Sequence, residues 1–158
     1  MPISSIIAVS CFEFLVKIFV VLIIGIICLF MRIEIHIDNV IVLIFIFFQV
    51  WLFATCIGII FAIVSCYLPE IEKLRSLAMR PIFFISGIFF SLQDIPIEYW
   101  HYLNWNPLLH AVELMRYVAY PSYGDAGVSE FYLNMFTLCS LFLALAIYHI
   151  SWKQAISR

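Results

Sequence analysis

The chain has 158 residues, of which 66% are hydrophobic and 11% charged, with a formal net charge of −2 at pH 7 and a mean hydropathy of +1.13. Soluble domains carry roughly 25% charged residues, so the eight Lys/Arg and ten Asp/Glu present cannot clothe a globule of this size in water, and lipid must be the solvent for most of it. The near-neutral balance and the lack of any basic run exclude nucleic acid as a partner.

The first apolar run, Ile6 to Phe30, is long enough to cross the bilayer core with some tilt, since a crossing helix needs about 20 residues. It is too long for a signal-peptide core and has neither a basic leader nor a small-residue cleavage site, so it is expected to be retained. Glu13 and Lys17 lie four apart within it. They read either as a pair that neutralises itself on one face or as a lysine turned toward a transport path. Met31 to Asn39 alternates polar and apolar residues and reads as a short exposed connection.

The second run is Val40 to Tyr67. Ala54, Gly58 and Ala62 recur every fourth residue along it, a small-residue stripe that suits close approach of another helix. Leu68 to Arg80 is the most charged stretch; Pro69 fits a first helical turn, Glu70 and Glu72 follow where the dipole favours anions, and Lys73, Arg75 and Arg80 come next. A third span is expected over residues 71–90, with Pro81 as a kink or as the point where the helix enters the membrane.

Residues 91–130 combine Tyr99, Trp100, Tyr102, Trp105, Tyr117, Tyr120 and Tyr123 with Pro96, Pro107 and Pro121. Amphipathic aromatic rings favour the headgroup level and the prolines divide the segment, which predicts two short helices, about 96–103 and 108–120, that dip into or lie on the membrane. Asn106 should cap the second of them, with Pro107 in its first turn. Ser129 caps the last span, 131–152, with Glu130 in its first turn. The expected fold is therefore all-α, a polytopic membrane bundle of four spans (6–30, 40–67, 71–90 and 131–152) in one membrane domain, with a broken, re-entrant segment before the last. Four crossings put both ends on one side. Assigning that side to the cytoplasm places Lys73, Arg75, Arg80, Lys153 and Arg158 inside and leaves Arg32 and Arg116 outside, as the positive-inside rule requires.

Catalysis and metal binding find no support. There is no nucleophile elbow and no His-Glu-x-x-His, and His101 and His110 have no acidic partner in register. The five cysteines, Cys11, Cys28, Cys56, Cys66 and Cys139, include no Cys-x-x-Cys and read as reduced small hydrophobes in apolar runs. The five glycines (Gly25, Gly58, Gly87, Gly124, Gly127) cannot form a Gly-x-x-x-x-Gly-Lys phosphate loop, so no cofactor is expected and ATP would be bound by another chain.

Three strings go further. Tyr67-Leu68-Pro69-Glu70-Ile71, Arg80-Pro81-Ile82-Phe83-Phe84-Ile85-Ser86-Gly87-Ile88-Phe89-Phe90 and Trp105-Asn106-Pro107-Leu108-Leu109-His110-Ala111-Val112-Glu113-Leu114-Met115-Arg116 together resemble the permease subunits of ABC-2-type exporters. With Tyr120-Pro121-Ser122-Tyr123, the likeness is nearest to the capsule and O-antigen polysaccharide exporters. The resemblance implies a permease of the bacterial inner membrane that pairs with a second copy to form a tunnel, driven by a separate ATPase subunit, with a polysaccharide as substrate. It aligns this chain with the last four of six family spans, which implies an N-terminally truncated permease or one half of a split one, with a companion fragment supplying the rest. On that reading Lys17, Tyr99, Trp100, Trp105, His110, Glu113, Arg116, Tyr117 and Tyr120 are candidates for the substrate path. Glu113 and Arg116, three apart, also read as a structural ion pair. Glu70, Glu72, Lys73 and Arg75 are candidates for contact with the ATPase. A drug or lipid cargo, and a helical membrane protein with no transport role, stay open as alternatives.

Overall fold

The computed structural model describes residues 2–32, 39–120, 123–124 and 127–156. Its helices are α1 (Pro2–Phe30), α2 (Val40–Tyr67), α3 (Ile71–Ile85), α4 (Trp100–Leu103), α5 (Pro107–Ala119) and α6 (Glu130–Ile156), with single 3₁₀ turns at Leu92–Asp94 and Ile97–Tyr99 before α4. No strand occurs among the described residues, in keeping with an all-α membrane bundle. Among the described residues, three stretches are long and apolar enough to cross a membrane: Ile7–Phe30, Val40–Tyr67 and Glu130–Ser151.

The chain divides into a unit formed by α1 and a second unit from Ile37 onward. In α1 the Lys17 ammonium lies 3.2 Å from the Glu13 carboxylate, so the only charges of that helix answer each other one turn apart. The helix closes with a left-handed Arg32 (φ 53°). Most of the connection expected over 31–39 lies outside the described residues.

In the second unit, α2, α5 and α6 form the core. Ile46 of α2, Ala111, Leu114 and Val118 of α5, and Leu133 of α6 are buried together. Gln49 of α2 donates from its amide to Asn134 of α6, a polar tie between two apolar helices. Lower down the same seam, Cys56 of α2 and Thr137, Ser140 and Ala144 of α6 are buried. The two hydroxyls are satisfied within their own helix, Thr137 on the Leu133 carbonyl and Ser140 on the Thr137 carbonyl, each at 2.8 Å. Small side chains of this kind let helices approach where lipid offers no hydrophobic drive between them. All five cysteines are free, and Cys56 is the buried one.

The expected packing stripe on α2 behaves differently. Ala54 and Ala62 are exposed, and a methyl added at Gly58 would meet nothing within 4 Å. The chain's close helix contact instead uses the face that carries Gln49, Cys56 and Ile63.

The third element is shorter than the expected span of 71–90. α3 stops at Ile85, where the Ser86 amide tightens onto the Phe83 carbonyl at 3.3 Å and Gly87 turns left-handed (φ 77°). Pro81 does not end the helix. At 1.5 Å per residue, α3 rises roughly 22 Å, short of the roughly 30 Å hydrocarbon core.

Candidate functional site

The segment between α3 and α6 is organised around α5, and α5 is organised by its ends. Asn106 is 2% exposed and serves two helices. Its Oδ1 accepts from the Leu108 amide at 3.0 Å, capping α5 ahead of Pro107. Its Nδ2 donates to the Ile82 carbonyl at 3.4 Å, one of the carbonyls left over at the end of α3. One side chain thus fastens the finish of α3 to the start of α5. Asn106→Ala loses both the cap and the donor, and urea titration in mixed micelles should place it about 1 kcal/mol or more below the parent.

One turn on, His110 is buried with each ring nitrogen engaged. The Ser129 amide donates to Nδ1 at 3.1 Å, so Nδ1 is an acceptor, the proton sits on Nε2, and Nε2 donates to the Asn104 carbonyl at 2.8 Å. This neutral tautomer ties the end of α4 to the start of α6.

Glu113 is the hub. Its side chain is 3% exposed. Oε1 accepts from the Leu92 amide at 3.0 Å and from Arg116 Nη1 at 2.8 Å, and Oε2 accepts from the Tyr123 hydroxyl at 2.5 Å. That hydroxyl also pairs with Ser91 Oγ. Arg116 also donates to the turn after α3, reaching the Phe90 carbonyl at 2.7 Å and the Ile88 carbonyl at 3.2 Å. The expected Glu113–Arg116 ion pair is present and holds the turn at residues 88–92.

The connection from α5 to α6 is laced down by the same segment. Gln93 donates to the Gly124 carbonyl at 2.7 Å, Asn104 Nδ2 donates to the Gly127 carbonyl at 2.9 Å, and Trp100 Nε1 donates to the Ile95 carbonyl at 2.9 Å. The Trp100 ring lies so close over Gly127 (φ 84°) that a methyl there would come within 2.6 Å of it. Tyr132 of α6 reaches the Trp105 carbonyl at 2.8 Å. Pro121 and Ser122, which the sequence reading singled out, lie outside the described residues.

The expected substrate-path residues therefore separate by role. Trp100, His110, Glu113 and Arg116 are committed to internal bonds that shape the segment. Tyr99 (54% exposed), Trp105 (57%), Tyr117 (42%) and Tyr120 (63%) present their rings outward. Lys17 lies on α1, in the separate unit. Asn106, Ser91, Gln93 and Asn104 were not among the expected site residues. The signal for Asn106 was its Asn-Pro string; Ser91, Gln93 and Asn104 bond to partners far along the chain, which no local pattern reveals.

The four charged residues expected at the ATPase also separate. Glu70 and Lys73 line a shallow cavity with Leu68, Ile71, Leu74 and Leu77, and Glu72 and Arg75 line another, against Phe61, Ala62 and Ser65 of α2.

The described residues thus form a bundle of apolar helices with a broken segment held by buried polar bonds. The chain belongs to the ABC-2 type transporter family, whose model matches residues 1–120. Two curated relatives, both named polysialic acid transport protein KpsM from Escherichia coli, are 40% and 39% identical to it over 147 residues, covering 93% of this chain and 57% of theirs. The chain thus spans a little over half the length of the curated relatives it matches.

Proposed function

We propose that this chain forms part of the permease of an ABC exporter that carries a polysaccharide across a bacterial inner membrane, with ATP hydrolysis in a separate subunit and a second permease copy completing the path. The observation that carries the reading is the 40% identity, sustained over 93% of the chain, to a polysialic acid transport protein. Two features support it. The exposed rings of Tyr99, Trp105, Tyr117 and Tyr120 stand on a segment held by buried bonds, and flat aromatic faces stack on the C–H surfaces of many sugars while letting a polymer slide. On the far end of α3, Glu70 and Lys73 share a surface with Leu74 and Leu77, which are 61% and 65% exposed. That mixture of charge and apolar area suits a protein partner such as the ATPase.

In this reading the N-terminus, the α2–α3 connection and the end of α6 face the cytoplasm. α3 then completes its crossing with the help of the segment at residues 86–129, which enters from the outer side and turns back. Backbone that is not continuous helix is tolerated at that depth because it is buried in protein and its polar groups are bonded.

The test is a chimera in which these residues replace the matching segment of the E. coli relative in a cell that lacks its own copy. Surface polymer per inserted permease should be restored. Alanine at Trp105 and Tyr120 together should then reduce export severalfold at unchanged insertion, since aromatic contacts are worth about 0.5–1.5 kcal/mol each. A fall in inserted protein with normal export per molecule would instead make these rings membrane anchors.

A further inference from the structure

Two adjoining cavities run along α2 on the side away from its packed face. The larger, about 290 Å³, is walled by Phe53, Ile57 and Phe61 of α2 and Met79 of α3, with Ala54 and Gly58 as its floor and Leu108 of α5 closing it. The smaller, about 220 Å³, holds Ser65, Glu72 and Arg75 near the end of α2. Phe61 and Arg75 line both, so the two form one furrow, apolar toward Phe53 and charged at its mouth beside Ser65. From Phe53 to Ser65 it follows α2 for roughly 18 Å at 1.5 Å per residue. Its mouth lies within one turn of Tyr67, the last residue of the apolar helix α2.

The mouth decides the ligand. Arg75 forms no salt bridge among the described residues, and neither does Glu72, although they stand three apart on one helix. A guanidinium presents a planar fork that matches a phosphate. A carboxylate beside it disfavours a purely anionic group and favours one that carries an ammonium next to its phosphate. The open floor at Gly58, where a methyl would meet nothing within 4 Å, leaves room for a hydrocarbon chain in contact with the α2 backbone. A basic site between helices at the membrane surface is a recurrent way to hold a phospholipid headgroup.

We propose that this furrow is a binding site for a phosphoethanolamine phospholipid, with Arg75 on the phosphate, Glu72 on the ammonium and one acyl chain lying over Gly58 toward Phe53. The site does not depend on what the permease exports. It assigns Glu72 and Arg75 to lipid and leaves Glu70 and Lys73, on the neighbouring cavity, for a protein partner.

The chain, reconstituted in vesicles of phosphatidylcholine, is photolabelled with a phosphatidylethanolamine bearing a diazirine on its acyl chain, and the labelled peptides are mapped. Labelling should concentrate around residues 53–62 and 76–80, and unlabelled phosphatidylethanolamine should compete at least tenfold better than phosphatidylglycerol. Gly58→Leu, which fills the floor, should remove most of the labelling while helicity is retained, and Arg75→Gln should weaken it severalfold. Glu72→Gln should shift the preference toward phosphatidylglycerol, an effect that a merely structural carboxylate would not produce. Labelling spread evenly along α2, equal competition by the two lipids, or disulfide crosslinking of Ala62→Cys between two copies would overturn the proposal; the last would mean that a second helix covers the furrow.

Discussion

Arg116→Ala should lower stability by about 3 kcal/mol. Removing one partner of a buried ion pair costs roughly 3–5 kcal/mol because the other charge is left without compensation. Glu113, at 3% side-chain exposure, is that other charge; the Arg116 side chain is 25% exposed, which sets the expected loss at the lower end. The substitution also strips the Phe90 and Ile88 carbonyls of their donors. Glu113 would keep the Leu92 amide and the Tyr123 hydroxyl, neither of which carries a positive charge. The double variant Arg116→Ala with Glu113→Gln should recover about 1–2 kcal/mol of the loss, since residues of one network couple by 0.5–3 kcal/mol. Urea titrations of the four proteins in mixed micelles give the comparison. Strictly additive losses would mean that the pair does not act as a unit. Because the same bonds shape the turn that follows α3, the single variant should also reduce export per inserted molecule in the chimera.

Hydropathy made the long helices legible. Nothing but lipid explains runs such as 6–30 and 40–67 with so few charges, and the observed α1 and α2 cover them. The start of α5 was equally readable, since an Asn-Pro pair ahead of an amphipathic run has one good use: the side chain caps and the proline fills the first turn, as Asn106 and Pro107 do. The end of α3 was not readable from hydropathy, because residues after Ile85 remain apolar while the backbone turns. The stop is set by the left-handed backbone at Gly87. The site divided along a similar line. A tyrosine, histidine or arginine in an aromatic stretch looks the same in sequence whether it points outward, as Tyr120 does, or is consumed inside, as His110 is. Which of these holds depends on Leu92, Asn104, Tyr123 and Ser129, which bond to α5 from elsewhere in the chain. The small-residue stripe on α2 shows the limit of pattern in another way. The periodicity is real, but α6 and α5 pack on the opposite face, where Ile46, Gln49 and Cys56 are buried.

Gly87→Ala should cost about 2–5 kcal/mol, from two independent sources. The residue sits at φ 77°, a left-handed conformation that penalises a residue with a Cβ by roughly 1–2 kcal/mol. The added methyl would also come within 2.7 Å of Leu109 Cδ1, and Leu109 is 0% exposed in the seat of α5, so it has nowhere to go. Overpacking of this kind costs roughly 1–3 kcal/mol. Leu109→Val removes the δ-carbon and with it the overlap, so Gly87→Ala should be milder in that background by about 1 kcal/mol while the backbone penalty persists. Gly58→Ala is the control: Gly58 is in mid-helix at ordinary angles, and its methyl would meet nothing within 4 Å. There alanine should stabilise by roughly 0.4–1 kcal/mol through helix propensity and a less flexible unfolded chain. Opposite signs at the two glycines, read from the same urea titrations, are the expected result. A neutral Gly87→Ala would mean that α3 does not end in the left-handed turn that directs the chain from α3 toward α5.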